Sequence, residues 1–141
     1  MQPLISPQVN AALQIAILVI LSVGMGFKRK KRYWQHGALT LFATVLNLFS
    51  FLLVMLPSVL RLEILRTQPF HIVSIVTLSH TAIGALSVLL GIWLVAVWHL
   101  QSTPKDCFRR KNWMRVTMVL WMFALVLGFL LYAYLYTTLR P

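Results

Sequence analysis

Histidine is the one side chain in this sequence equipped to ligate a cofactor or to carry protons, and there are four of them: His36, His71, His80 and His99. His36 opens one long apolar run and His99 closes another, so two helices could bring them to opposite faces of a haem. His71 and His80 stand nine residues apart in a single run, which at about 100° per residue puts them on roughly opposite faces. They cannot share one site within that helix. The helical rise places His80 about 14 Å beyond His71, making it the only histidine expected well inside an apolar layer.

His80 also heads a stripe with Gly84, Ser87 and Gly91, spaced by four, three and four residues. Small residues at that spacing let a second helix or a flat ligand approach closely. Two readings follow. Either His80 ligates a cofactor or handles protons against the stripe, or the stripe is a close helix crossing in which His80 hydrogen-bonds a neighbour such as a backbone carbonyl or Asn47.

Other chemistries find few residues to work with. The only acids are Glu63 and Asp106, both between the apolar runs, which argues against a buried carboxylate relay or a carboxylate-bridged metal centre. Cys107 is the only cysteine, so no intrachain disulfide and no thiolate cluster is expected. There is no phosphate-cradling glycine loop, nucleophile elbow or metalloprotease helix motif, and no internal repeat of the kind that builds transporters. The expectation is a protein that is not an enzyme and has no metal site.

The elements that must position these histidines are set by composition. Of 141 residues, 60% are hydrophobic and 11% charged, with a mean hydropathy of +0.82, which no soluble domain of this length matches. Apolar runs cover about 9–27, 36–60, 71–100 and 113–139, free of charge apart from Arg115, and each is long enough to cross a hydrocarbon core of about 30 Å. The prediction is an all-α polytopic membrane protein, one domain, with four transmembrane helices in an antiparallel bundle. The first run has no basic residue before it and no small-residue cleavage pattern after it, so it reads as a retained span and not as a secretory signal.

Charge fixes the expected orientation. Lys28, Arg29, Lys30, Lys31 and Arg32 follow the first run, and Lys105, Arg109, Arg110, Lys111 and Arg115 precede or begin the fourth. Alternation puts these ten on one side and leaves only Arg61, Arg66 and Arg140 on the other. The positive-inside rule assigns the ten to the cytoplasm and both termini to the outside, in a multi-pass protein of the cell (cytoplasmic) membrane. Tyr33, Trp34, Trp98 and Trp113 then mark the cytoplasmic headgroup layer. The net charge of +11 is read as orientation and contact with anionic headgroups, with no nucleic acid as partner, because the basic residues adjoin spans and no binding fold accompanies them.

The last run reads Arg115, Thr117, Trp121, Gly128, Tyr132, a spacing that resembles the closing helix of the CtaM-type (YozB-like) family. Ser79-His80 is similar to that family's Ser-His pair, and His36 stands shortly after a basic loop as it does there. The resemblance runs from about Lys28 to Tyr136. It implies a small four-helix protein linked to maturation of haem-copper cytochrome oxidases, with His80 and His36 as the residues of interest, haem as the cofactor it handles, and subunits of a respiratory complex as partners. Two positions depart from the pattern: Arg110 stands where a loop histidine is expected, and Met55 and Pro57 where one is expected at the outer end of the second helix. The expected function is a membrane-embedded assembly or support factor for a haem-copper oxidase. Alternatives are a cofactor-free accessory subunit held permanently by a larger membrane complex, or a small b-type cytochrome with haem between His36 and His99.

Overall fold

A computed structural model describes residues 6–98 and 104–138. Four helices in it are long and apolar enough to cross a membrane: Pro7–Arg29, Tyr33–Arg61, Ile72–Trp98 and Lys111–Leu135. At 23, 29, 27 and 25 residues each exceeds the roughly 20 that a bilayer core demands. The protein is therefore an all-α, multi-pass membrane bundle. The first, second and fourth helices start or end a turn beyond their apolar runs, among Lys28, Arg29, Tyr33 and Lys111. Long basic stems can follow a helix out to the headgroups while backbone hydrogen bonding continues. The end of the third run, including His99 and Leu100, lies outside the described residues.

The first helix, α1 (Pro7–Arg29), begins where the Ser6 hydroxyl accepts from the Val9 amide at 3.3 Å, with Pro7 in the first turn where its missing N–H costs nothing. It stops in a double-bonded cap: the amide of Arg32 donates to the Phe27 carbonyl and that of Lys31 to Lys28, at 2.9 and 3.0 Å. Lys31 pivots this turn at φ 59°. That is the left-handed region, where glycine is the usual occupant.

The second span is not one uniform helix. α2 (Tyr33–Ser50) widens into a π turn over Phe51–Met55 before resuming as α3 (Leu56–Arg61). The cause stands two residues on: Pro57 has no amide hydrogen, and its ring crowds the carbonyl of Leu53 four residues back. Widening the turn accommodates both effects, and the Leu56 amide reaches Phe51 instead. A short α4 (Ile64–Thr67) bridges to α5 (Ile72–Trp98), and α6 (Pro104–Arg109) leads into α7 (Lys111–Thr138). His71 acts as a cap for α5, its Nδ1 accepting from the Val73 amide at 3.3 Å.

The bundle consists of two antiparallel hairpins. In the first, Gln14 meets Ser50 and Gly24 meets His36. In the second, His80 meets Ala124, and Trp93 meets Trp113 edge-on at 5.8 Å. α2 and α5 join the hairpins through Trp98 against Gly37, Thr44 against Gly91 and Met55 against Gly84; α1 and α7 touch much less. At mid-height Ile17, Ala43 and Trp121 form a buried cluster, with Leu13, Leu46 and Met118 packed round it. Outward faces stay apolar, with Leu89 64% and Val119 66% exposed. Only a hydrocarbon solvent makes such a surface stable.

Candidate functional site

Most polar side chains within the spans are satisfied by their own helix. The hydroxyls of Thr40, Thr44, Ser58, Thr77, Thr81 and Thr117 each donate to the carbonyl four residues back, and Ser87 to that of Gly84, at 2.6 to 2.9 Å. Such groups have spent their donor. Ser74 donates instead to the Gln68 carbonyl before its helix at 2.9 Å, and two histidines and one amide-hydroxyl cluster reach across to a neighbouring span.

The two histidines do the same thing in different hairpins. His36 Nδ1 lies 2.9 Å from the Gly24 carbonyl of α1, and His80 Nδ1 lies 2.7 Å from the Ala124 carbonyl of α7. A carbonyl oxygen only accepts, so each Nδ1 carries the hydrogen and each neutral ring keeps an Nε2 lone pair. The hydrogen bond thus fixes the tautomer that a ligand or an acceptor needs, as a backbone carbonyl does behind many metal-bound histidines. His80 is seated further by Gly128: a Cβ added there would come within 2.8 Å of the ring's Cε1.

The two rings line separate cavities in the seam between the hairpins. His36 lines a cavity of about 300 Å3 at the basic end. His80 lines one of about 250 Å3 toward the other end, with Asn10, Gln14, Asn47 and Ser50 among its walls. The cluster is ordered by Ser50, whose hydroxyl donates to Asn10 Oδ1 at 2.6 Å and accepts from Gln14 Nε2 at 2.9 Å. Gln14 also lies 3.5 Å from Asn47 Oδ1. Asn47 and Trp121 line both cavities, so the central cluster divides the seam.

Gly84, Ser87 and Gly91 are all buried, and Met55 and Thr44 of the second span fill the space above the two glycines. The stripe thus meets a neighbouring helix at its two glycines and also borders the cavities, Gly84 the one with His80, Gly91 the one with His36 and Ser87 both. Among the described residues His36 and His80 do not converge, and no group of three metal-ligating side chains occurs. His99 lies outside the described residues, and beside His36 the indole of Trp98 is packed onto Gly37. Sequence reasoning missed Asn10, Gln14 and the Gly128 seat. Asn10 and Gln14 stand one helical turn apart, facing Asn47 and Ser50, a polar face in an apolar helix that would have marked them.

The cavity lined by His80 does not, as it stands, fit a porphyrin. Its 250 Å3 falls below the roughly 300–1,000 Å3 of sites for drug-sized ligands, and no charged side chain among the described residues lines it to pair with propionates. Its walls combine one imidazole with amide and hydroxyl groups among otherwise mostly apolar side chains. No family model, no curated protein and no solved structure matches this chain, so the likeness to the CtaM-type family rests on the residues quoted for it.

Proposed function

We propose that this chain is a non-enzymatic assembly or support factor for a haem-copper respiratory oxidase, set in the cytoplasmic membrane with its basic end toward the cytoplasm, and that His80 is its point of engagement with the client. The observation that carries the reading is the fixed His80 tautomer, with Nδ1 held by the Ala124 carbonyl and Nε2 left as an acceptor on a ring that lines the second cavity. An ionisable side chain inside a membrane span marks a functional site by default. The resemblance through Ser79-His80 and the Arg115 to Tyr132 spacing supports the choice of client. The size and neutral lining of the cavity favour contact with an oxidase subunit over a resident haem.

The test compares membranes from cells with and without the chain, together with detergent-purified wild-type and His80→Ala protein. The expected result is loss of oxidase reduced-minus-oxidised bands without the chain, co-purification of oxidase subunits that His80→Ala diminishes, and no stoichiometric haem on the isolated protein. Unchanged oxidase bands would overturn the assembly reading. A stoichiometric haem band abolished by His80→Ala would overturn the haem-free form of it.

A further inference from the structure

The cavity at the basic end has a different character from the one that holds His80. Its walls are apolar along most of their length, from Ile17, Leu21 and Met25 on α1 to Leu94 and Val95 on α5, and it is open along part of its wall. Two cations line it, Lys28 from the first hairpin and Arg115 from the second. Lining residues extend from Lys28 to Ile17 on α1 and from Trp98 to Ser87 on α5. Each stretch is twelve residues, and its eleven rises amount to about 17 Å. Half of a hydrocarbon core of about 30 Å is about 15 Å, so the cavity has the depth of one leaflet.

We propose that this cavity holds one anionic phospholipid of the leaflet at the basic end, its phosphate between Lys28 and Arg115 and one acyl chain in the seam between the hairpins. Charge complementarity selects the headgroup. Two cations from different hairpins line a cavity that is otherwise largely apolar and has no acid among its lining residues, so a soluble phosphate would leave the apolar part empty and a neutral lipid would leave the cations without an anion. Tyr33 and Trp98 in the same lining are amphipathic rings of the kind that favour the headgroup layer. Bound there, the lipid bridges α1 and α7, which touch each other much less than α2 and α5 do. This inference is independent of the oxidase reading.

The test is native mass spectrometry of delipidated, full-length protein in detergent, titrated with phosphatidylglycerol or phosphatidylcholine of the same acyl chains. Wild type is expected to retain one phosphatidylglycerol and to bind phosphatidylcholine at least about tenfold more weakly. The double variant Lys28→Gln, Arg115→Gln should lose that preference, whereas Lys30→Gln, Arg109→Gln, removing two basic residues that do not line the cavity, should keep it. A Val95→Trp variant, which fills the apolar part and leaves every charge in place, should also lose the retained lipid. Equal binding of the two lipids by wild type, or equal loss of preference in both charge variants, would overturn the proposal. Retention by Val95→Trp would overturn the seam as the place of binding.

Discussion

Gly128 and His80 offer a sharp test of the second hairpin, because the sign of the effect depends on whether the imidazole lies where it is described. A methyl group at Gly128 would start 2.8 Å from His80 Cε1, against the roughly 3.5–4.0 Å at which carbon atoms settle. The ring must retreat by about 0.7 Å or more. Its 2.7 Å bond to Ala124 then stretches to about 3.4 Å, past the ~3.2 Å limit of a good N–H···O bond. Losing an interhelical hydrogen bond inside a membrane costs about 0.6 kcal/mol on average and up to about 1.7, and an off-rotamer ring adds about 0.5–1.5. Replacing glycine by alanine within a helix returns about 1 kcal/mol. Gly128→Ala should therefore destabilise the wild type by about 0–1 kcal/mol and stabilise a His80→Ala protein by about 1 kcal/mol, a coupling of about 1–2 kcal/mol between the sites. Equilibrium unfolding in mixed micelles, followed by tryptophan fluorescence and circular dichroism, measures all four corners of the cycle. Coupling below about 0.5 kcal/mol, the usual error of additivity, would refute the packing of His80 on Gly128.

Three further outcomes are expected. Ser50→Ala should destabilise the first hairpin by about 1 kcal/mol in the same unfolding assay, because Ser50 serves both Asn10 and Gln14; a neutral result would remove the cluster from the list of hairpin contacts. Lys31→Gly should stabilise by about 1–2 kcal/mol, the cost of the left-handed conformation for a residue with a Cβ, and a loss of stability would contradict the cap geometry. In a Cys107→Ala background, a cysteine at Lys30 should react with a membrane-impermeant maleimide only after the cytoplasmic face is opened, and one at Arg61 in intact cells. The reverse pattern would invert the orientation proposed here.

What the sequence disclosed and what it concealed divide along physical lines. Span number and helical class were legible because hydropathy is a sum over some twenty residues, insensitive to any one of them. The extra turn at each basic flank was less so, because the helix outlasts the apolar run that announces it. The π turn at Phe51–Met55 escaped notice although its cause, Pro57, is plain in the sequence: a proline announces a disturbance, and only the neighbouring packing decides whether the helix kinks or widens. The stripe of Gly84, Ser87 and Gly91 was visible as small residues, but periodicity does not say whether a ligand or a helix fills the space; here Met55 and Thr44 do so. The carbonyl partners of His36 and His80 lie 12 and 44 residues away. Backbone acceptors exist at every position, so nothing in a residue type could single out Gly24 or Ala124. The separation of the two cavities depends on Trp121, one of five tryptophans, and became visible only once the hairpins were assembled.

The division into hairpins, each with a histidine reaching across to a carbonyl, bears on how the chain is made. Once the second span has emerged, the His36–Gly24 bond and the Ser50 cluster can close with no contribution from later residues, and the His80–Ala124 bond needs nothing from earlier ones. Synthesis can deliver two self-sufficient pairs whose union is a separate, later event. Until that event each pair presents one unmated side to the bilayer. A client subunit or a lipid arriving then meets an open face, before the seam becomes a crevice, so the order of biogenesis, as much as the finished shape, decides what comes to lie between the halves.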